Sequence, residues 1–211
     1  MRIFRTPGFI RKIYPEAYWK IPQSEKIIYL TFDDGPIPEL TPWVLEILER
    51  FTALATFFCV GDNVRKYPEI AHKIILKGHS IGNHTFHHIK GWNTRNQEYF
   101  QDIFEASELI KSPLFRPPYG QIKKSQYNQL KKNYRIILWD LITYDYDPGF
   151  SPKDCLSMLY KKTESGSIIV FHDSKKAEKN LRAILPNYLE FLRDNGFTCL
   201  PIPLDLIEGH S

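Results

Sequence analysis

Sulfur is scarce in this chain: 211 residues hold three cysteines and two methionines. Cys59, Cys155 and Cys199 are too few and too far apart for a disulfide framework or a cysteine-based zinc site. Cys59, inside an apolar run, reads as a small core residue. Long apolar runs are also lacking, and no segment approaches the ~20 apolar residues of a membrane span. Residues 1–20 are basic and aromatic, but Arg11, Lys12, Pro15 and Glu16 interrupt them well short of signal-peptide length. The literal expectation is a cytoplasmic location, or an extracytoplasmic one if a leader has been removed. Nor does one charge dominate. The 28 Lys and Arg against 24 Asp and Glu leave a formal +4. Lys131, Lys132, Arg135 and Lys161, Lys162 read as solvated surface rather than a nucleic-acid patch. With 43% hydrophobic and 14% aromatic residues the chain is not of disordered composition. Its length suits one domain with a sizeable core and is short for two.

What is present is an alternation of strand and helix patterns. Short β-prone apolar runs occupy 27–32, 55–60, 80–83, 134–139, 167–171 and 197–200, with a weaker one at 114–115. Helical periodicity runs from Thr41 through Trp43, Val44, Ile47, Leu48 and Phe51. It recurs over 64–77 with Gly78 as its stop, over 96–110, over 152–162 with Pro152 in the first turn, and over 178–194. Strands alternating with helices imply parallel pairing through right-handed crossovers. The expected fold is therefore α/β, a distorted parallel (β/α) barrel of about seven strands in a single domain. A doubly wound open sheet is the alternative. Either gathers function at the C-terminal ends of the strands.

The polar clusters follow strands. In His84-Thr85-Phe86-His87-His88, two histidines four apart can present nitrogens to one metal, and His87 offers a second pairing at a spacing of three. Two imidazoles and one carboxylate, with a position left for water, match a catalytic zinc site. The run Thr31-Phe32-Asp33-Asp34-Gly35-Pro36 supplies two adjacent acids, which in a cleft need a compensating cation. One acid can then bind metal while its neighbour stays free as a base; the bland reading is a capped turn. Arg116-Pro117-Pro118-Tyr119-Gly120 is a rigid turn carrying a cation and an aromatic. Val170-Phe171-His172 places a histidine at the tip of an apolar strand. Asp145 lies beyond another strand, within possible reach of it, and an acid there favours the protonated imidazole.

In this order the segments resemble the five motifs of the polysaccharide deacetylases, the NodB-homology domain of carbohydrate esterase family 4, and the likeness runs from about Ile27 to Leu200. The resemblance implies an N-terminal extension over 1–26 packed on a catalytic domain at 27–205. It also implies residue roles. Asp33 would be the general base, Asp34, His84 and His88 the metal ligands, and Arg116 the residue holding Asp33. The Tyr119 N–H would bind the oxyanion, and His172 would be the general acid tuned by Asp145. The implied cofactor is a divalent metal, zinc by default, with cobalt, nickel or manganese able to substitute.

The implied activity is hydrolysis of N-acetyl groups from amino-sugar saccharides. The expected partner is an N-acetylated saccharide, with no nucleic acid and no membrane span; oligomeric state is left open. The fourth motif departs from the family, with Tyr146 where a Trp usually follows the Asp and Ile142 where an earlier Asp is common. Two other readings compete. One is hydrolysis of a non-sugar amide, cyclic imide or formylated amine on the same fold. The other is a catalytically silent carbohydrate-binding domain, which the complete set of site residues disfavours.

Overall fold

A computed structural model describes residues 3–205 of the chain. In chain order its main elements are α1 (Gly8–Arg11), β1 (Ile27–Asp33), α2 (Leu40–Arg50), β2 (Ala55–Cys59), α3 (Gly61–Lys66), α4 (Pro68–Leu76), β3 (Ser80–Asn83), α5 (Asn96–Leu109), β4 (Leu114–Phe115) and α6 (Lys124–Leu130). They continue with β5 (Arg135–Ile136), β6 (Leu141–Ile142), α7 (Pro152–Lys162), β7 (Ile168–His172), α8 (Glu178–Asp194) and β8 (Thr198–Cys199). Seven strands hydrogen-bond in the order β5-β4-β3-β2-β1-β7-β6, and β8 joins the first residues of β1. Every strand pairing is parallel. The fold is a distorted parallel β/α barrel, as the strand–helix alternation predicts.

Side-chain alternation along β1 decides what the barrel interior contains. Ile28, Leu30 and Phe32 belong to the large core beneath the helices, with Phe57 and Phe171 stacked against Phe32 at ring separations of 5.0 and 5.7 Å. Tyr29 packs instead with Phe58, Leu114, Ile137 and Ile168. With a period of two, Thr31 and Asp33 share the Tyr29 face. An acid at the end of β1 is thus delivered inward.

Two expected elements differ from those observed. The helix over 64–77 is two helices. Tyr67 leaves helical geometry (φ −132°, ψ 55°) and Pro68 begins α4, because a residue preceding proline is crowded out of the α region while proline suits a first turn. The strand over 134–139 shrinks to β5, and a second short strand, β6, lies at the opposite edge of the sheet. Residues 137–140 cross the gap between those edges: Ile137 N–H donates to Phe115 of β4 at 2.8 Å and Asp140 N–H to Ile168 of β7 at 3.0 Å, and the segment between them bonds to the N-terminal residues. Leu138 N–H donates to Tyr18 at 2.8 Å, and Thr6 N–H donates to Asp140 at 3.0 Å. Arg5 and Arg11 also pair with the buried Asp140 carboxylate. The segment before β1 therefore lies along the seam of the barrel. No helix among the described residues is long and apolar enough to cross a membrane.

Candidate active site

The centre of the barrel mouth is an ion pair. Arg116, at the end of β4, is fully buried, and its Nη1 donates to Asp33 Oδ1 and to Thr31 Oγ1, each at 2.7 Å. Its Nε and Nη2 donate to the carbonyls of Ile137 and Leu138 at 3.2 and 3.1 Å, and the guanidinium lies 4.1 Å from the centre of the Phe58 ring. The fork of donors is matched on all sides, as a buried guanidinium requires. It leaves Asp33 Oδ2 directed toward His84 Nε2, 4.0 Å away.

Beyond β1 the chain turns sharply, and Asp34 sits at φ +83°. Non-glycine residues occupy the left-handed region at a cost of about 1–3 kcal/mol, sustained only where surroundings over-determine them. His88 (φ +56°) and Tyr119 (φ +59°) share that conformation. Here the surroundings are specific: Asn63 donates to the Asp34 carbonyl at 2.8 Å, and the Asn83 side chain accepts from Thr85 N–H at 2.9 Å. The turn brings Asp34 Oδ1 within 3.1 Å of His88 Nε2 and 3.9 Å of His84 Nε2. One ligand atom from each of Asp34, His84 and His88 lies within 4.8 Å of the other two. Donors at ~2.0–2.1 Å from a tetrahedral ion would be roughly 3.4 Å apart, so small side-chain adjustments suffice.

The chemistry of the donors fits a divalent cation too. His84 Nδ1 is 2.7 Å from the Arg116 carbonyl, which assigns the proton to Nδ1 and the lone pair to Nε2. Burial outweighs the opposing pull of Asp33 and holds His84 down at about 4, in the neutral form that a ligand needs. Burial alone would raise the Asp34 carboxyl, but the hydrogen bond with His88 and the charges of His172 and His84 hold it well below the usual carboxylate range. His87 takes no part in this cluster. Its Nδ1 is 2.6 Å from Asp102 Oδ2, and its side chain is largely exposed.

The opposite wall carries His172, whose Nδ1 is 2.7 Å from Asp145 Oδ1 and whose backbone N–H donates to Asp145 Oδ2 at 2.8 Å. Nε2 is left to carry a transferable proton. Burial would lower this imidazole, yet the Asp145 carboxylate, helped by Asp34 and Asp33, pushes it up to about 9. Tyr146 stands edge-on to the His172 ring at 4.9 Å. Tyr119 packs on His88 at 4.8 Å, and the hydrogen bonds closing its turn run from Gly120 to Pro117 and from Gln121 to Pro118. The Tyr119 N–H takes part in neither.

Three supporting residues escape the sequence reading. Asp102, on α5, accepts from the N–H groups of Phe86 and His87 as well as meeting the His87 ring, anchoring the loop that carries His84 and His88. Asn180, on α8, donates to the carbonyls of Asp145 and Asp147. Asp173 accepts from Gly35 N–H at 3.1 Å and Thr41 Oγ1 at 2.5 Å, while its own N–H donates to the Asp33 carbonyl. Of the three, only Asp173 had a local signal, its adjacency to His172. A β-carbon at Gly35 would lie 2.0 Å from the Asp173 carboxylate. Gly35→Ala should therefore destabilise the protein by about 1–3 kcal/mol, lowering the melting temperature by several degrees. An unchanged thermal transition would show that this turn has slack.

The chain is similar to known proteins along most of its length. The polysaccharide deacetylase family model matches residues 20–135, more than half the chain. A peptidoglycan-N-acetylglucosamine deacetylase of Bacillus cereus is 33% identical over 198 residues, covering 89% of this chain and 92% of the relative. A chitooligosaccharide deacetylase of Azorhizobium caulinodans is 31% identical, covering 87% and 96%. Among solved structures, a peptidoglycan N-acetylglucosamine deacetylase crystallised with 4-naphthalen-1-yl-N-oxidanyl-benzamide superposes with a TM-score of 0.81 at 30% identity, covering 88% of this chain and 90% of that one. By family model, by relatives along nearly its whole length and by fold, the chain belongs to the polysaccharide deacetylase family.

Proposed function

We propose that this chain is a metal-dependent hydrolase that removes N-acetyl groups from amino-sugar saccharides of the N-acetylglucosamine type. The observation that carries the reading is the convergence on one cleft of the Asp34–His84–His88 cluster with the Asp33–Arg116 and His172–Asp145 pairs. The saccharide is suggested by relatives that deacetylate peptidoglycan and chitooligosaccharides. Asp34, His84 and His88 would hold the ion, zinc by default. Bound there, a divalent cation would supply a water acidified toward neutrality and a Lewis acid for the acetamide carbonyl.

The remaining steps belong to the protein's own groups. Asp33, held by Arg116, accepts the proton of the attacking water. The Tyr119 N–H donates to the oxyanion, a contribution of roughly 3 kcal/mol for one such donor. His172 protonates the departing amine at Nε2, and acetate leaves. Acetate release from chitooligosaccharides, abolished by chelation and restored by zinc, is the direct test. A protein that releases none, but opens cyclic amides or imides, would overturn the saccharide reading.

The proton donor sets a pH dependence. With His172 raised to about 9, its acid function, and the stability contributed by its pairing with Asp145, are both complete below pH ~6.5. Both are lost as pH rises through the folded-state value. Asp145→Asn removes the charge that raises the imidazole. The alkaline limb of kcat should move to lower pH by about 1–3, with metal content unchanged. A limb that stays in place would assign it to another group.

A further inference from the structure

Each catalytic wall carries an aromatic ring, and each ring carries a lysine. Tyr119 packs on His88 at 4.8 Å, and Lys90 Nζ lies 4.6 Å from the centre of the Tyr119 ring. Across the cleft Tyr146 packs on His172 at 4.9 Å, and Lys176 Nζ lies 5.3 Å from the centre of the Tyr146 ring. Both lysines are exposed, and among the described residues neither forms an ion pair with an acid. Each follows its histidine closely in the chain, two residues after His88 and four after His172. A His–aromatic–lysine group is thus built twice, from unrelated segments, on the two sides of Asp33 and Asp34, the Tyr119 ring tilted on its histidine and the Tyr146 ring edge-on.

The stacks constrain what the rim can recognise. A bare aromatic face beside a cleft suits the C–H face of a neutral sugar. Here a lysine lies over each ring, so the ring acts as a support that holds an ammonium in place by cation–π attraction. An ammonium so held, with no acidic partner among the described residues, is available to an anion. Lysine presents a point charge and asks for little directional matching, which suits a carboxylate on a flexible substituent or on a neighbouring sugar. The departure at Tyr146 acquires a role as part of the second stack.

We propose that Lys90 and Lys176 are specificity-determining residues that select saccharides carrying carboxylates beside the N-acetylated unit. The proposal rests on the deacetylase reading for the site it flanks, but its test does not need turnover. Binding is measured by calorimetry to metal-loaded Asp33→Asn protein. The ligands are three tetrasaccharides: neutral chitotetraose, one alternating N-acetylglucosamine with N-acetylmuramic acid, and one alternating N-acetylglucosamine with glucuronic acid. At low ionic strength at least one acidic ligand should bind about tenfold tighter than the neutral one, an advantage that salt erodes. Lys90→Gln and Lys176→Gln should each cut the advantage about threefold and together remove it.

Which acid is preferred distinguishes a lactyl carboxylate from a uronic one, and either result supports the rim. Equal affinity for neutral and acidic ligands, or a preference that survives in the double variant, overturns it. If the charge preference holds while the unsubstituted protein releases no acetate from any of the three, the deacetylase reading fails and the rim stands.

Discussion

Asp33→Asn is expected to lower the rate of acetate release by about 10²–10⁴-fold while leaving the binding of a divalent ion intact. Asparagine keeps the shape of the side chain and one oxygen for Arg116, so the mouth of the barrel stays assembled. What it cannot do is take a proton. The metal readout is what makes the result specific, because Asp34, one residue on, belongs to the His84 and His88 cluster, and Asp34→Asn should lose the ion as well as the rate. A modest loss of stability, about 1–3 kcal/mol, accompanies Asp33→Asn, because the charge-assisted bond to Arg116 weakens. Near-normal hydrolysis by this variant would place the base elsewhere.

The largest effect on stability is expected at Arg116. Arg116→Met removes a fully buried guanidinium that serves Asp33, Thr31 and the carbonyls of Ile137 and Leu138. Methionine fills part of the volume but leaves a buried carboxylate without its cation and two carbonyls without donors. Breaking a buried pair from one side costs about 3–5 kcal/mol, which for a domain of this size lowers the melting temperature by roughly 6–20 °C. Arg116→Lys restores the charge but not the planar fork, so it should recover part of the loss and leave the Ile137–Leu138 seam under-bonded. Urea unfolding of the two variants measures the difference. A methionine variant as stable as the parent would mean that Asp33 is uncharged or solvated there.

Much of this was legible in the chain itself. Apolar runs at β1, β2 and β7, with helices between them, imply a parallel sheet because both faces must be covered. The acids, histidines and arginine of the site all follow strands, which is where parallel sheets gather function. Local chemistry even announced the break at Tyr67-Pro68, although the longer apolar pattern of 64–77 masked it. The strand over 134–139 was misjudged for a different reason. Its apolar run is real, and Ile137 N–H still donates to Phe115 of β4, but Leu138 N–H turns to Tyr18 and both carbonyls accept from the Arg116 side chain, a choice made by groups more than a hundred residues and about twenty residues away.

The sequence by itself determined the parallel α/β class, the main strands and helices and the set of groups available for chemistry, because strand and helix periods and turn sterics are local properties. Tertiary structure alone decided how those groups are shared out. His87 and His88 are neighbours with identical side chains, yet one turns to Asp102 on α5 and the other to Asp34. Asp33 and Asp34 are likewise identical in kind, yet one meets the Arg116 guanidinium and the other the histidines. Partners of this sort come from distant segments, and the packing of those segments, not spacing along the chain, sets which atoms meet.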